Sequence, residues 1–168
     1  MKLMITTILC SCAFLGFSVA GASAQTSYTL SGTCKVSVQK SIPAGDQPGH
    51  AFVIQAGKCT DKESIAGATA TGGQYAEHSD VTASSSNGAG IFTVTYNTGD
   101  KTFYRYSLSV STKNGAVQSG TGTFMAVGGT GKMKGVAAKG TCTFGPGPTS
   151  GTNTFMCAGQ YTLGAASP

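Results

Sequence analysis

Two cysteines near the C-terminus, Cys142 and Cys157, can face each other across a hairpin, and placing them opposite one another aligns their neighbours. Phe144 then meets Phe155, Gly140 meets Gly159, Ala138 meets Tyr161 and Val136 meets Leu163. These residues share one face, because strand side chains repeat every two residues. Between them, Gly145-Pro146-Gly147-Pro148-Thr149-Ser150-Gly151 is a loop on its glycines and prolines. A chain stapled across antiparallel strands belongs to a β architecture and to a compartment that oxidises thiols.

The N-terminus points the same way. Lys2 precedes a mostly apolar run from Leu3 to Ala20, and Ala22-Ser23-Ala24 supplies a small-x-small cleavage pattern before Gln25. Residues 1–24 read as a cleaved signal peptide, and the interruptions at Thr6, Thr7 and Ser11 disfavour a retained anchor. Removing 24 of 168 residues leaves 144, the size of a single domain over residues 25–168, exported to the periplasm or beyond. Without Lys2, ten basic side chains face six acidic ones, a side-chain charge of about +4. The basic residues are scattered apart from Lys132, Lys134 and Lys139, so nucleic acid is not an expected partner. Four cysteines remain, and Cys142–Cys157 leaves Cys34 to pair with Cys59. That second bridge needs a bulge near Gly57 or a Cys in a loop, because Phe52, Ile54 and Ala56 are out of phase with Cys59. A zinc site is disfavoured, since no Cys-x-x-Cys unit occurs and the compartment is oxidising.

Alternating apolar residues and recurrent turn dipeptides predict eight strands, over residues 27–39, 50–58, 73–84, 89–96, 102–112, 116–127, 134–144 and 153–163. Residues 59–72 read as a linker, and Asn87-Gly88 and Asn114-Gly115 as hairpin turns. The expected fold is an all-β, eight-stranded antiparallel up-and-down barrel, with a β-sandwich as the alternative. Gly164 to Pro168 reads as a frayed tail.

A tight Asn114-Gly115 turn sets Tyr104 opposite Met125 and Tyr106 opposite Thr123. One face then collects Phe92, Val94, Tyr96, Tyr104, Tyr106, Leu108, Val110, Met125 and Val127, and its apolar character makes it the expected interior. Phe92, Tyr96, Tyr104, Tyr106 and Met125 are the candidate ligand-binding residues. Their hydroxyls need partners when buried, and a ligand at a barrel mouth can supply one. In a filled barrel, Thr121, Thr123 or backbone carbonyls would do so instead.

The run Val127-Gly128-Gly129-Thr130-Gly131-Lys132-Met133-Lys134-Gly135-Val136, followed by Gly140-Thr141, resembles the glycine-rich segment of dirigent and allene oxide cyclase barrels. Thr98-Gly99-Asp100-Lys101 before Phe103-Tyr104 is similar to small exported bacterial members of that superfamily. The resemblance spans residues 89–163. It implies an eight-stranded calycin-like barrel, binding of apolar phenolic or lipid-derived molecules, and a tendency to form homo-oligomers. The superfamily's acidic site residues find no matching positions here, and the two disulfides depart from its pattern.

Chemistry-bearing motifs are sparse. The Gly-rich run is no phosphate loop, because Ala126 stands where its first glycine would be and Met133 follows Lys132. No nucleophile elbow, His-Glu-x-x-His motif or calcium loop occurs, and no cofactor is expected. A glycosidase carboxylate pair would have to come from Asp46, Asp61, Glu63, Glu77, Asp80 and Asp100, whose convergence spacing does not reveal. Glu77, His78 and Asp80 form the densest titratable cluster, and His78 with Asp80 on one strand face is the weak catalytic candidate. The leading expectation is an exported barrel binding a small apolar molecule. A cyclase, isomerase or coupling-guide enzyme comes second, and a filled barrel making contacts through loops 40–50 and 145–153 third.

Overall fold

A computed structural model describes residues 25–164; the expected signal peptide and most of the expected tail lie outside the described residues. Eight strands run in sequence: β1 (Thr26–Pro43), β2 (Ala51–Ile65), β3 (Ala68–Val81), β4 (Ser85–Tyr96), β5 (Lys101–Lys113), β6 (Ala116–Gly129), β7 (Ala137–Pro146) and β8 (Thr152–Thr162). Each pairs antiparallel with the next, and β8 closes onto β1 from Thr26↔Tyr161 to Lys35↔Thr152. The sheet is a closed up-and-down barrel with no free edge, which sets the sandwich aside. Among the described residues no helix is long and apolar enough to cross a membrane.

Both disulfides pair as expected. Cys142 lies opposite Cys157 in the β7–β8 ladder, with Phe144 on Phe155, Gly140 on Gly159 and Ala138 on Tyr161. Cys34 lies opposite Cys59, and the required bulge sits in β1, where Ser37 is inserted between the pairs Val36↔Gly57 and Val38↔Ala56. One extra residue on β1 restores the phase that β2 alone could not supply.

Three expectations are corrected. The proposed linker over residues 59–72 is a continuation of β2 and β3, turned at Ala66 and Gly67, which both have positive φ (51° and 79°). The sequence from Cys59 to Ile65 alternates strictly: Cys59, Asp61, Glu63 and Ile65 are buried while Thr60, Lys62 and Ser64 are exposed. Asn87-Gly88 is no turn either. It lies within β4, whose hairpin is closed at residues 82–85 by the Thr82 amide donating to the Ser85 carbonyl at 2.8 Å.

The third correction concerns register. Asn114-Gly115 does form the two-residue turn, with φ of 53° and 74°, and Lys113 pairs with Ala116. A bulge at Gln118 then slips β6 by one residue, because Thr112 pairs with Val117 but Ser111 with Ser119. Beyond it Tyr104 meets Ala126 and Tyr106 meets Phe124. A one-residue slip exchanges the faces of a strand. Phe124 is therefore buried inside, while Met125 and Val127 are half-exposed on the outer surface (51% and 49%).

The two ends of the barrel differ. At the end that holds the β2–β3 and β4–β5 turns, Ile65, Ala68, Val94, Tyr96 and Thr102 are buried. Met133, in a 3-10 turn over Gly131–Met133 that links β6 to β7, is fully buried against them and plugs that end. This turn displaces the start of β7 from the expected residue 134 to Ala137. Toward the other end, inward positions fall to glycine: Gly88 and Gly90 in β4, and Gly120 and Gly122 in β6. Missing side chains there leave the barrel hollow.

Candidate functional site: an acidic cavity beneath the open mouth

A cavity of about 720 Å³ opens at the end bearing the β3–β4, β5–β6 and β7–β8 connections. Its apolar wall includes Leu30, Phe92, Leu108, Phe124, Phe144 and Phe155. Phe92 meets Phe155 edge to face at 5.7 Å, and Tyr104 meets Phe124 likewise at 5.7 Å, so the rings brace one another. Cys34, Cys142 and Cys157 also line it, so the two bridges tie adjacent staves of the cavity wall.

Of the sequence candidates, Phe92, Tyr104 and Tyr106 line this cavity. Tyr96 points inward too but belongs to the packed end, fully buried beside Thr102. Met125 is corrected to the outer face by the β6 bulge. His78 and Asp80 are exposed on the outside of β3, and Asp80 is engaged by His50 instead. His50, which the sequence left without a role, lies between two carboxylates: Nδ1 at 2.5 Å from Asp46 and Nε2 at 2.9 Å from Asp80. It ties the β1–β2 loop to the end of β3. The hydrogen bond with Asp46 raises the imidazole above its ordinary value, aided by Asp80, and lowers the Asp46 carboxyl.

The tyrosine hydroxyls meet carboxylates rather than Thr121 or Thr123, both of which face outward. Tyr106 donates to Glu77 Oε2 at 2.8 Å, while Ser79 Oγ at 2.5 Å and Gln55 Nε2 at 3.0 Å donate to Glu77 Oε1. All four of these residues line the cavity. Glycine makes the space: a Cβ at Gly88 would crowd Glu77 and Ser79, and one at Gly90 would crowd the Tyr106 hydroxyl. Deeper in the barrel, Tyr104 donates to Glu63 Oε1 at 2.6 Å and Tyr96 to Glu63 Oε2 at 3.0 Å. Asp61 stands two residues before Glu63 on the same inward face, and neither of its carboxyl oxygens has a hydrogen-bond partner. A Cβ at Gly73 would collide with both Asp61 Oδ2 and the Phe92 ring, so Asp61 sits directly behind the Phe92 wall.

Burial disfavours charge on these groups. It pushes Asp61 up to about 7, with the neighbouring Glu63 adding to the rise. It pushes Glu63 up to about 7 as well, against the opposing pull of the Tyr104 and Tyr96 hydrogen bonds. Tyr104 and Tyr106 are raised far above the ordinary phenol range, first by burial and then by Glu63 and Glu77 respectively. Asp61, Glu63 and Glu77 were not singled out from sequence as a set. The signal was present in the alternation from Cys59 to Ile65, but reading those residues as a linker hid it.

No family model matches the chain, and no curated protein matches it by sequence. Among solved structures it is similar to a pterocarpan synthase dirigent protein at 13% identity and a TM-score of 0.47, covering 93% of this chain and 100% of that one. It is also similar to a pyocyanin demethylase at 17% identity and TM-score 0.41, covering 79% and 99%. A third is a conserved protein of unknown function from Rhodopseudomonas palustris, at 8% identity and TM-score 0.43, covering 83% and 99%. These likenesses are of barrel fold alone.

Proposed function

We propose that the protein is an exported binding barrel that takes a small, mostly apolar molecule into its interior cavity. The observation that carries this reading is the 720 Å³ space, walled by aromatic rings and reached through one open end. Cavities of that size, apolar with a few convergent polar groups, are the ordinary form of a small-molecule site. Phe92, Phe124, Phe144 and Phe155 hold the apolar body, and Tyr104, Tyr106 and Glu77 orient it. Two disulfides suit an oxidising compartment and keep the wall rigid before the ligand arrives.

Titration with a neutral apolar dye such as Nile red tests the reading. The barrel takes up the dye with a blue-shifted emission, and Leu108→Trp, which narrows the cavity with an indole, weakens uptake while the protein stays folded by circular dichroism. Equal uptake by the two proteins would place the dye elsewhere and end the reading.

A second reading, an enzyme of cyclase or isomerase type, draws on the carboxyl group of Glu63. Poised near neutrality and hydrogen-bonded to a tyrosine of the cavity wall, it is suited to pass a proton through Tyr104. His78 and Asp80 have no part in it, since both lie outside the barrel.

A further inference from the structure

Charge is sorted across the barrel wall. Of six acidic side chains in the protein, three, Asp61, Glu63 and Glu77, are buried inside. Among the described residues no lysine or arginine is buried, and the only one touching the cavity, Lys35, is solvent-exposed. The inward carboxyl groups therefore have no buried cationic counterpart among the described residues.

The hydrogen-bond count has the same sense. A carboxylate offers about four acceptor positions. Glu77 receives three donors, Glu63 receives two and Asp61, only 9% exposed, receives none. The other buried side-chain group without a partner among the described residues is the Tyr28 hydroxyl, so the shortage of donors is local to Asp61, and buried acceptors without donors are costly. A carboxylate or phosphate ligand would worsen both imbalances; a protonated amine would relieve both. The wall suits the same charge, because the faces of Phe92, Tyr104 and Tyr106 attract cations.

We propose that the cavity's ligand class is lipophilic amines: an apolar, ring-sized body among Phe92, Phe124, Phe144 and Phe155, with its ammonium group directed to Glu77 and held in the field of Asp61 behind Phe92. This inference rests on the binding reading above and narrows it. It separates this barrel from carriers of fatty acids or other anionic lipids, whose charged end would meet carboxylates here.

Three probes that share one ring system and differ in charge provide the test: 1-naphthalenemethylamine, 1-naphthalenemethanol and 1-naphthoate. Each is titrated by calorimetry at pH 8, where the amine is still protonated and Asp61 has lost its proton, into the oxidised protein, Glu77→Gln and Asp61→Asn. The amine binds the unmodified protein about tenfold or more tighter than the alcohol, since a buried ionic hydrogen bond is only weakly screened, and the naphthoate gives no measurable binding. Glu77→Gln removes most of the amine's advantage over the alcohol. Asp61→Asn, which removes a carboxyl that has no partner and so leaves folding intact, reduces the amine's preference severalfold. Equal binding of amine and alcohol, or tighter binding of the naphthoate, overturns the amine assignment and leaves the binding reading standing. Failure of all three probes to bind overturns both. Preference for the amine that survives both substitutions also overturns the assignment, because the charge would then be met elsewhere.

Discussion

The two halves of this barrel are built from the same strands yet solve opposite problems. At the plugged end, inward positions carry Ile65, Val94, Tyr96 and Met133, and their side chains fill the section. In the mouth half, β4 carries Gly88 and Gly90 and β6 carries Gly120 and Gly122, and the section stays hollow. Both halves hold a carboxylate with tyrosine donors. Glu63 is sealed in, beyond the cavity wall, whereas Glu77 faces the cavity. Stability is concentrated where the barrel is filled and binding where it is not, so the same kind of substitution has different consequences in each half.

Substitutions at the plug produce the largest expected effect. Met133→Ala removes a fully buried side chain with no room to relax and costs about 3 kcal/mol, read from urea unfolding. Leu108→Ala, beside existing empty space, costs about 1 kcal/mol or less, because little new cavity is made. Equal losses would erase the distinction between the halves.

Removing the Cys142–Cys157 bridge by a double serine substitution costs about 3 kcal/mol by the chain-entropy estimate for its loop. Because the bridge also ties the cavity wall, dye uptake falls with it. Stability lost with uptake unchanged would mean that the wall holds its shape without the staple.

Acidity separates the halves further. Asp61 and Glu63 hold protons up to about pH 7 in the folded state, whereas in the unfolded chain they release them near pH 4. Between those values the folded state binds more protons, so stability falls as pH rises from about 4 to about 7 and then levels. His50 adds a smaller change of the same sign, since its raised imidazole is stabilising when charged and that contribution is lost as pH rises through its folded value. Melting temperatures measured from pH 4.5 to 8 fall by several degrees, and Asp61→Asn flattens the slope. A rise over that interval would contradict the buried carboxyl assignment.

The smallest effect tests register. Met125→Lys, on the outer face, changes stability by less than about 0.5 kcal/mol, whereas Phe124→Ala next to it costs about 3 kcal/mol or more. The reverse order would restore the register without the bulge.

The barrel was legible in the chain because its determinants are local and periodic. Alternation in the last hairpin led to the right ladder, and the turn at Asn114-Gly115 was correct. Bulges were not legible, since a single inserted residue such as Gln118 leaves no mark in composition but reverses the face of everything beyond it. That is why Met125, which the unbulged register puts inside, lies on the outer face and its neighbour Phe124 is buried. Phe92, Tyr104 and Tyr106 read as inward because their strands, β4 and β5, alternate and pair with each other without a bulge. Asp61 and Glu63 were missed because acidic residues beside lysine and serine read as solvated loop, and only closure of the barrel turns that face inward. The cavity itself was beyond sequence reading. It arises from glycines on different strands coming to one level, a coincidence fixed by register.

Native mass spectrometry of the protein, purified gently from its source and compared with its denatured mass, tests the central claim most directly. The account predicts an excess of a few hundred daltons that disappears on denaturation, the mass of a molecule small enough for about 720 Å³. A native mass equal to the denatured one, in a protein that also refuses neutral apolar probes, would contradict it and leave the barrel a hollow scaffold without a ligand.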